Sequence, residues 1–197
     1  MGLSFKEENH SIFLLGTQTD DLASSEYLYS YHSQKESPAP YFDLNDEVKL
    51  QNLIKQLIRN KVIHSAHDVS DGGLVTALLE SAMPKEIGFQ INSDDNHRID
   101  AFLFGEGQGR IVVSCSPDMD DTLNDLSTSA GVAVFKLGKT TLEKVEIDNN
   151  SLGSVREWKA IYENALEKKA LLIKIPDRNL FGLRVTVNGI FAIDHIV

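Results

Sequence analysis

The sequence predicts an α+β domain in which a mixed β-sheet carries helices on its faces. Short apolar or alternating runs typical of strands, such as residues 11–15 and 87–91, lie between segments with helical periodicity. The helices are not spaced as regular strand-helix-strand units, so a purely parallel sheet is not expected. The 197 residues, 42% hydrophobic and 24% charged, are enough for one domain with its own core.

The first predicted elements are a strand and a helical start. Residues 11–15 (SIFLL) form a short apolar run that Gly16 ends, as expected of a buried strand. Two serines and Glu26 favour a helix start at residues 24–28, because serine caps helices and an early acidic residue stabilises them. Residues 33–40 (SQKESPAP) are predicted to form a loop, since proline interrupts helices and sheet ladders.

Two amphipathic helices are predicted next. Asp43 is expected to cap the first, which stops at Asn60, and Pro84 is expected to end the second. Between the two helices, residues 62–63 open a short extended segment. Apolar residues spaced three and four apart predict one buried stripe on each helix: Val48, Leu50, Leu53, Ile54, Leu57 and Ile58 on the first, and Leu74, Val75, Leu78, Leu79 and Ala82 on the second.

The second half of the sequence continues the mixture of strands and helices. A helix is predicted to begin at Pro117, since proline is favoured at the first helical position, and to be closed by Gly131. Residues 99–104 are apolar and show no clear period. Four strands are predicted, at residues 87–91, 111–114, 132–137 and 144–147.

The last predicted elements are a helix and a hairpin. Ser154 and Glu157 form the capping-box pattern before an amphipathic run, so a helix is expected to begin there. Residues 183–197 are predicted to form a hairpin that turns at Asn188-Gly189, a dipeptide typical of two-residue turns. No internal repeat and no low-complexity tract occurs in the sequence.

Composition restricts the class of protein. The formal net charge of −10 argues against a nucleic-acid or an anionic-membrane surface, because both need a basic face. The single cysteine, Cys115, lies in an apolar run and is predicted to be a buried, unreactive thiol. No apolar run is long enough to span a membrane and the first residues do not resemble a signal peptide, so a cytoplasmic location is expected.

Residues 65–74 (SAHDVSDGGL) place a histidine, two carboxylates and two glycines between a strand and a helix. Ser70 or Asp71 is expected to cap the helix by accepting hydrogen bonds from its free N–H groups. In the simplest interpretation, the segment is a capped turn with His67 hydrogen-bonded in place.

The same segment could bind an ion or a phosphate. Asp68 and Asp71 carry the oxygen ligands that Mg²⁺ prefers, and the metal would bridge to phosphate. Gly72 and Gly73 have no Cβ, so either a ligand or another backbone could approach them closely. Spacing alone does not decide between this interpretation and the capped turn.

Two other kinds of site fit the segment poorly. Ser65, His67 and Asp68 are too close in sequence for the geometry of a hydrolase triad to be assumed, and no G-x-S-x-G motif occurs. A zinc site at His64, His67 and Asp68 would lack the H-E-x-x-H pattern and a fourth ligand.

Residues 105–110 (GEGQGR) have three alternate glycines, which suggests a phosphate-binding loop. They precede a strand, however, whereas the dinucleotide-binding fingerprint follows a strand and opens a helix, and no Walker lysine is present. In an extended segment, Glu106, Gln108 and Arg110 would face one side and could contact a hydroxylated, phosphorylated substrate. An ordinary surface ion pair between Glu106 and Arg110 is an equal alternative.

Residues 65–74 and 105–110, in this order, resemble the phosphoribosylformylglycinamidine (FGAM) synthase family. The resemblance is to the C-terminal portion of the small, synthetase-type subunit of that family. The SEYL element at residues 25–28 favours this family over aminoimidazole ribonucleotide synthetase, selenophosphate synthetase and thiamine monophosphate kinase, which share the fold. The resemblance covers residues 3–168, which we assign to one domain similar to the C-terminal domain of aminoimidazole ribonucleotide synthetase. Residues 169–197 have no counterpart and form an unassigned tail. Further similar stretches are residues 12–16, 103–114 and 137–139.

The resemblance implies an ATP-dependent C–N ligase of purine biosynthesis that requires Mg²⁺. Members of the family convert FGAR, ATP and glutamine-derived ammonia into FGAM, ADP and phosphate, with a glutaminase and a small accessory subunit as partners. Their two tandem halves each have an N-terminal ATP-binding domain and a C-terminal domain. This chain resembles the last of the four domains, so the remaining domains would hold the main catalytic histidine, and the chain alone is expected to be inactive.

The resemblance also implies roles for individual residues. Gly107 stands where the sister domain has a serine, which weakens the expectation that this half binds FGAR. Two roles stay open, a domain that lends residues to a shared cleft and a non-catalytic scaffold or auxiliary-nucleotide half; another enzyme of the superfamily is a third alternative. Seven residues are expected to contact ligands: Asp68 the metal, Ser70, Gly72 and Gly73 the nucleotide, and Glu106, Gln108 and Arg110 the substrate.

Overall fold

A seven-stranded mixed β-sheet with helices on both faces forms the body of the protein. The structure, a computed structural model, describes residues 1–94, 96–165, 183–186 and 189–193. The strands of the main sheet are β1 (Ser11–Leu15), β2 (Ser65–Asp68), β3 (Gly88–Ile91), β4 (Ile111–Cys115), β5 (Val134–Thr141), β6 (Lys144–Ile147) and β7 (Asn150–Ser154). The helices are α1 (Leu44–Arg59), α2 (Gly73–Ala82), α3 (Ile99–Phe104), α4 (Asp120–Ala130) and α5 (Val155–Glu163).

The strands lie in the order β2-β4-β1-β5-β3-β6-β7. Every neighbouring pair is antiparallel except β3 and β6, which run parallel. The sheet is therefore mixed, as predicted. β2 lies at one edge, where Gly2 forms a single parallel bridge to Ser65 and partly covers the exposed strand.

The central strand β1 shows why the sheet is covered on both sides. Ile12 and Leu14 pack into the core beneath α2, α3 and α5. Phe13 and Leu15 point to the other face and join a second core with α1 and α4. Because successive side chains of a strand alternate between faces, a strand buried on both sides is a continuous apolar run, which explains the sequence SIFLL.

The predicted ends of the helices agree with the structure at several points. Asp43 caps α1, and its Oδ1 accepts hydrogen bonds from the N–H groups of Asn45 at 2.7 Å and Asp46 at 3.1 Å. Asn60 lies at the C-terminal end of this helix. The capping box of Ser154 and Glu157 is formed in full at the start of α5. These ends were predictable because each is determined by residues within one helical turn.

Three segments differ from the prediction or were missed. Residues 99–104 form α3, whose residues Asp100–Phe104 are all buried, so no amphipathic period marks it. β7 was not predicted, because NSLGS has weak strand propensity and is ordered by pairing with β6. The helix start predicted at 24–28 is a short helical turn, Tyr27–Tyr31.

The C-terminal hairpin is present in the described backbone. β8 (Leu183–Thr186) and β9 (Gly189–Ile193) pair antiparallel and form a separate two-stranded sheet. Asn188, predicted as part of the turn, lies outside the described residues, as do positions 166–182.

Candidate functional site

The segment 65–74 joins β2 to α2 at the edge of the sheet. Asp68 and Ser70 both expose their side chains to solvent, whereas Val69 between them is buried. The backbone N–H of Val69 donates to the carbonyl of Arg110 at 2.9 Å, which ties this segment to the start of β4. The chain therefore presents Asp68 and Ser70 outward from a firmly anchored turn.

The cap of α2 does not come from the residues predicted to supply it. Gly72 occupies the capping position with a φ of +80°, and no side chain of the turn caps the helix. The N–H of Gly72 donates to Glu106 Oε1 at 2.8 Å instead. The prediction that Ser70 or Asp71 caps α2 is therefore wrong, because the acceptor comes from a loop 34 residues further along the chain.

The second glycine of the pair is required by close packing. Gly73 has a φ of +72°, and a Cβ added there would lie 2.7 Å from the carbonyl oxygen of Leu103 and 2.7 Å from the backbone of Phe104. Real Cβ atoms do not approach backbone atoms so closely, so only glycine lets the start of α2 contact the end of α3. Its N–H donates to the carbonyl of Ser70 at 2.9 Å.

His67 is held between acceptors on both sides of its ring. Its Nε2 lies 3.1 Å from Glu80 Oε2, and its Nδ1 lies 2.7 Å from the carbonyl oxygen of Asp68. The second oxygen of Glu80 accepts a hydrogen bond from Tyr162 at 3.0 Å. The hydrogen bond to Glu80 raises the pKa of His67, and a ring whose nitrogens both face acceptors is suited to the imidazolium form.

The side chains of residues 105–110 do not share one face. Glu106 Oε1 accepts hydrogen bonds from Glu26 N at 2.9 Å and from Gly72 N. Arg110 is buried, and Gln108 is exposed. The prediction of one polar row is therefore wrong, because the segment turns, with Gly109 at a φ of +71°, rather than running straight into β4.

The guanidinium group of Arg110 donates hydrogen bonds inside the protein. Only 3% of the residue is exposed. Its Nη1 donates to Gln18 Oε1 at 2.7 Å, its Nε donates to the carbonyl of Gly107 at 3.2 Å, and its Nη2 donates to the carbonyl of Gly105. Burial lowers its pKa to about 10, so it stays charged at neutral pH. The surface ion pair with Glu106 is not formed, since the donors of Arg110 bind neutral acceptors.

A cleft of about 220 Å³ opens beside the glycine-rich segment. Gly107, Gln108 and Gly109 form one wall. The start of α1, Tyr41 and Phe42 also line the cleft, as do four carboxylates: Asp21, Asp43, Asp46 and Glu47. An anionic ligand would be repelled by these groups unless a cation or a basic partner accompanied it.

The predicted metal and nucleotide contacts form no complete site within this chain. Among the described residues, no three His, Cys, Asp or Glu side chains are grouped so that they could hold a metal ion. Asp68 is exposed and belongs to no such group among the described residues, so a Mg²⁺ ion there would need further oxygen ligands from elsewhere. The N–H groups of Gly72 and Gly73 are already hydrogen-bonded within the chain. As ligand contacts, these residues stay predictions.

The thiol of Cys115 matches the prediction of a buried side chain. It is fully buried in β4, and burial raises its pKa to about 12. A thiol with so high a pKa carries almost no thiolate at neutral pH, so it is a poor nucleophile.

Sequence patterns did not identify Gln18, Glu80 or Tyr162 as parts of this region. Gln18 is buried, and its Oε1 accepts a hydrogen bond from Arg110, which lies 92 residues away in the sequence. Glu80 in α2 contacts His67 directly, and Tyr162 in α5 donates a hydrogen bond to Glu80. None belongs to a local motif, so the sequence carried no signal for them.

Comparison with known proteins places the fold and the motifs in one family. The family described as AIR synthase related protein, C-terminal domain, matches residues 7–148. The phosphoribosylformylglycinamidine synthase subunit PurL of Carboxydothermus hydrogenoformans is 35% identical over 169 residues, which are 83% of this chain and 23% of that protein. That of Azorhizobium caulinodans is 36% identical over 150 residues, which are 76% and 20% of the two chains. The chain thus spans less than a quarter of the length of these curated relatives.

Solved structures show the same fold at low sequence identity. Thermotoga maritima PurL complexed with FGAR has a TM-score of 0.67 and 15% identity over 79% of this chain and 29% of that one. The same protein complexed with ATP has a TM-score of 0.62 and 14% identity, with 79% and 26% covered. PurLQS from the same organism has a TM-score of 0.60 and 15% identity, with 78% and 26% covered.

Within the described part of the chain, every helix is too short or too polar to cross a bilayer.

The relatives confirm the resemblance drawn from the two motifs. The predicted mixed sheet, the motif-bearing turns that meet at Glu106 and the match over residues 7–148 all agree. The chain belongs to the family of AIR synthase related protein C-terminal domains.

Proposed function

We propose that the chain is a C-terminal domain of an FGAM synthase, the ATP-dependent ligase that converts FGAR, ATP and glutamine-derived ammonia into FGAM, ADP and phosphate. The observation that carries the proposal is the 35% identity to a PurL subunit over 169 residues. The fold and the paired motifs are consistent with it. Thermotoga maritima PurL forms complexes with FGAR and with ATP, which supports the same ligands for the intact enzyme here.

In this proposal the chain works only together with other polypeptide. Residues 3–168 form the family domain, and residues 169–197 form an appended tail. The remaining domains of the enzyme, a glutaminase and a small accessory subunit are its partners in the cytoplasm, and the existence of a PurLQS assembly in Thermotoga maritima supports multi-subunit association. A polypeptide limited to these 197 residues corresponds to 23% of the Carboxydothermus relative, so we expect it to be inactive on its own.

The outward-facing residues are the candidates for contact with the rest of the active site. Asp68 and Ser70 are exposed at the end of β2, and Gln108 is exposed at the cleft. Asp68 would supply one oxygen ligand to Mg²⁺, with the others coming from phosphates or from neighbouring domains. Gln108 would hydrogen-bond the substrate through its amide.

A scaffold role is the second candidate, and a specific observation favours it. Glu106 and Arg110 are two of the three predicted substrate contacts. Glu106 Oε1 and the guanidinium group of Arg110 are hydrogen-bonded to partners inside the chain. Gly73 is explained by packing against α3. A domain whose motif residues are occupied in this way would support an active half rather than perform chemistry.

A domain exchange tests the main proposal. The matched segment of the Carboxydothermus PurL subunit would be replaced by this chain, and ammonia-dependent formation of FGAM would be measured. We expect activity above that of a variant lacking the segment. A folded exchange protein with no activity beside an active parent would contradict the proposal.

The two roles are separated by substitutions at exposed positions of the same exchange protein. Asp68→Asn and Gln108→Ala should each lower kcat/KM by about 10²-fold if the side chains contact ligands in the transition state. Unchanged kinetics in both variants would favour the scaffold role. Ser93→Ala is a matched control, because Ser93 pairs with Asp148 and lies outside the residues that line the cleft.

A further inference from the structure

One carboxylate joins two helix starts that are far apart in the sequence. Glu106 Oε1 accepts hydrogen bonds from Gly72 N at 2.8 Å and from Glu26 N at 2.9 Å. Gly72 precedes α2, and Glu26 precedes the helical turn Tyr27–Tyr31. The capping residues themselves, Glu26 and Gly72, make no side-chain cap, and Ser25 Oγ accepts a longer bond from Leu28 N at 3.4 Å. Glu106 therefore accepts hydrogen bonds at both starts, a task usually performed locally by serine or aspartate.

The surroundings of this carboxylate are unfavourable to a further anion. Glu106 is half-buried, and burial raises its pKa, as do the nearby carboxylates of Asp71 and Glu26. The two backbone donors act in the opposite direction and favour the ionised form. A phosphate at this helix start would lose Gly72 N as a donor and would face three carboxylates.

The Tyr27–Tyr31 turn, which is hydrogen-bonded to Glu106 through Glu26 N, also packs against α3. Tyr27 is buried and stacks on Phe104 with ring centroids 5.0 Å apart and planes 4° apart. Phe104 is the last residue of α3, and Gly73 packs closely against the backbone of this helix. Two residues beyond Glu106, Gln108 reaches the cleft. The bonds of Glu106 thus fix the turn, the start of α2 and one wall of the cleft relative to one another.

We infer that Glu106 is a positioning residue that serves as an internal anion at the start of α2 and connects it to the Tyr27–Tyr31 turn. It is not a substrate contact, in contrast to the role implied by the resemblance. The inference concerns contacts within this chain and does not depend on the proposed function.

Hydrogen exchange of the full chain, followed by NMR, tests this role. In Glu106→Ala, the amides of Glu26 and Gly72 lose their acceptor, so we expect each to exchange at least about tenfold faster and the protein to melt several degrees lower. Glu106→Gln keeps an acceptor oxygen in place and should retain most of the protection. Gln108→Ala, at the exposed neighbour, should change neither amide.

If the amides of Glu26 and Gly72 exchange as slowly in Glu106→Ala as in the unchanged protein, the inference is wrong. If Glu106→Ala does not fold, Glu106→Asp replaces it, because a side chain one methylene shorter cannot reach both donors. Loss of protection at one or both amides in a folded Glu106→Asp supports the role, and full protection at both overturns it.

Discussion

His10 and His64 face each other through their Nδ1 atoms, which lie 3.3 Å apart, and their ring centroids are separated by 4.6 Å. His10 precedes β1 and is almost fully buried, while His64 precedes β2 and donates its backbone N–H to the Ser114 carbonyl at 2.7 Å. Only one of the two Nδ1 atoms can donate in this contact, so the other must be unprotonated. The pair is therefore incompatible with two fully protonated rings.

This contact predicts acid-sensitive stability. Burial, followed by the charge of His64, lowers the pKa of His10, although Glu7 and Asp118 act against the shift. Because the folded pKa is below the unfolded value of about 6.5, the contribution is present above that pH and is lost as pH falls through the folded pKa. Urea unfolding at pH 7.5, 6.5 and 5.5 should show this loss. A His64→Gln variant should show a weaker dependence; an identical dependence would contradict the prediction.

His67 should behave in the opposite way. Its bond to Glu80 raises its pKa, so its contribution is present below the unfolded pKa and is lost as pH rises through the folded value. NMR titration of the ring proton should therefore give a pKa above 6.5 that falls in Glu80→Gln. Tyr162→Phe is the control, since it removes only the bond to the other oxygen of Glu80. A His67 pKa that is the same in Glu80→Gln would refute this role for Glu80.

The glycines at the end of β1 and after α4 provide a matched pair. A Cβ at Gly16, with a φ of +104°, would lie 2.0 Å from the carbonyl oxygen of Gly109. At Gly131, with a φ of +66°, an added Cβ would meet nothing within 4 Å. Gly131→Ala should therefore cost only the backbone strain, about 1–2 kcal/mol. Gly16→Ala should cost about 3 kcal/mol or more, as both strain and overlap apply. Equal losses in chemical denaturation would argue against the close approach.

Trp158 should be an important contact between α5 and the sheet. It is 3% exposed, and its Nε1 donates to the carbonyl of Leu152 at 2.9 Å. Trp158→Ala should lower the free energy of unfolding by about 3–5 kcal/mol. Trp158→Phe, which keeps an aromatic ring but loses the hydrogen bond, should cost less. Unfolding followed by circular dichroism measures both, since the chain has no other tryptophan to report by fluorescence.

The elements that sequence predicted correctly are those determined by neighbouring residues. The Asp43 cap, the capping box at Ser154 and the buried strand β1 all depend on residues within a few positions of one another. The fold class followed from these elements. By contrast, α3 is buried along most of its length and β7 depends on its partner strand, so neither has a strong local pattern.

The candidate site could be found from sequence, but its internal contacts could not. The motifs at 65–74 and 105–110 were recognised, and Glu106 does meet Gly72. The partners of Glu106 and Arg110 at Glu26 and Gln18 lie 80 and 92 residues away in the sequence. Spacing within a motif carries no information about such pairs. For this reason, the sequence of the glycine pair could not distinguish a ligand site from close packing.

We infer that the turn at residues 65–74 organises this domain rather than holding a nucleotide by itself. Calorimetric titration of the full chain with ADP and Mg²⁺ tests it most directly. We predict no saturable heat with a dissociation constant tighter than about 1 mM, because the N–H groups of Gly72 and Gly73 already have acceptors within the chain. Saturable binding that shifts the amide resonances of Gly72 and Gly73 would contradict the account.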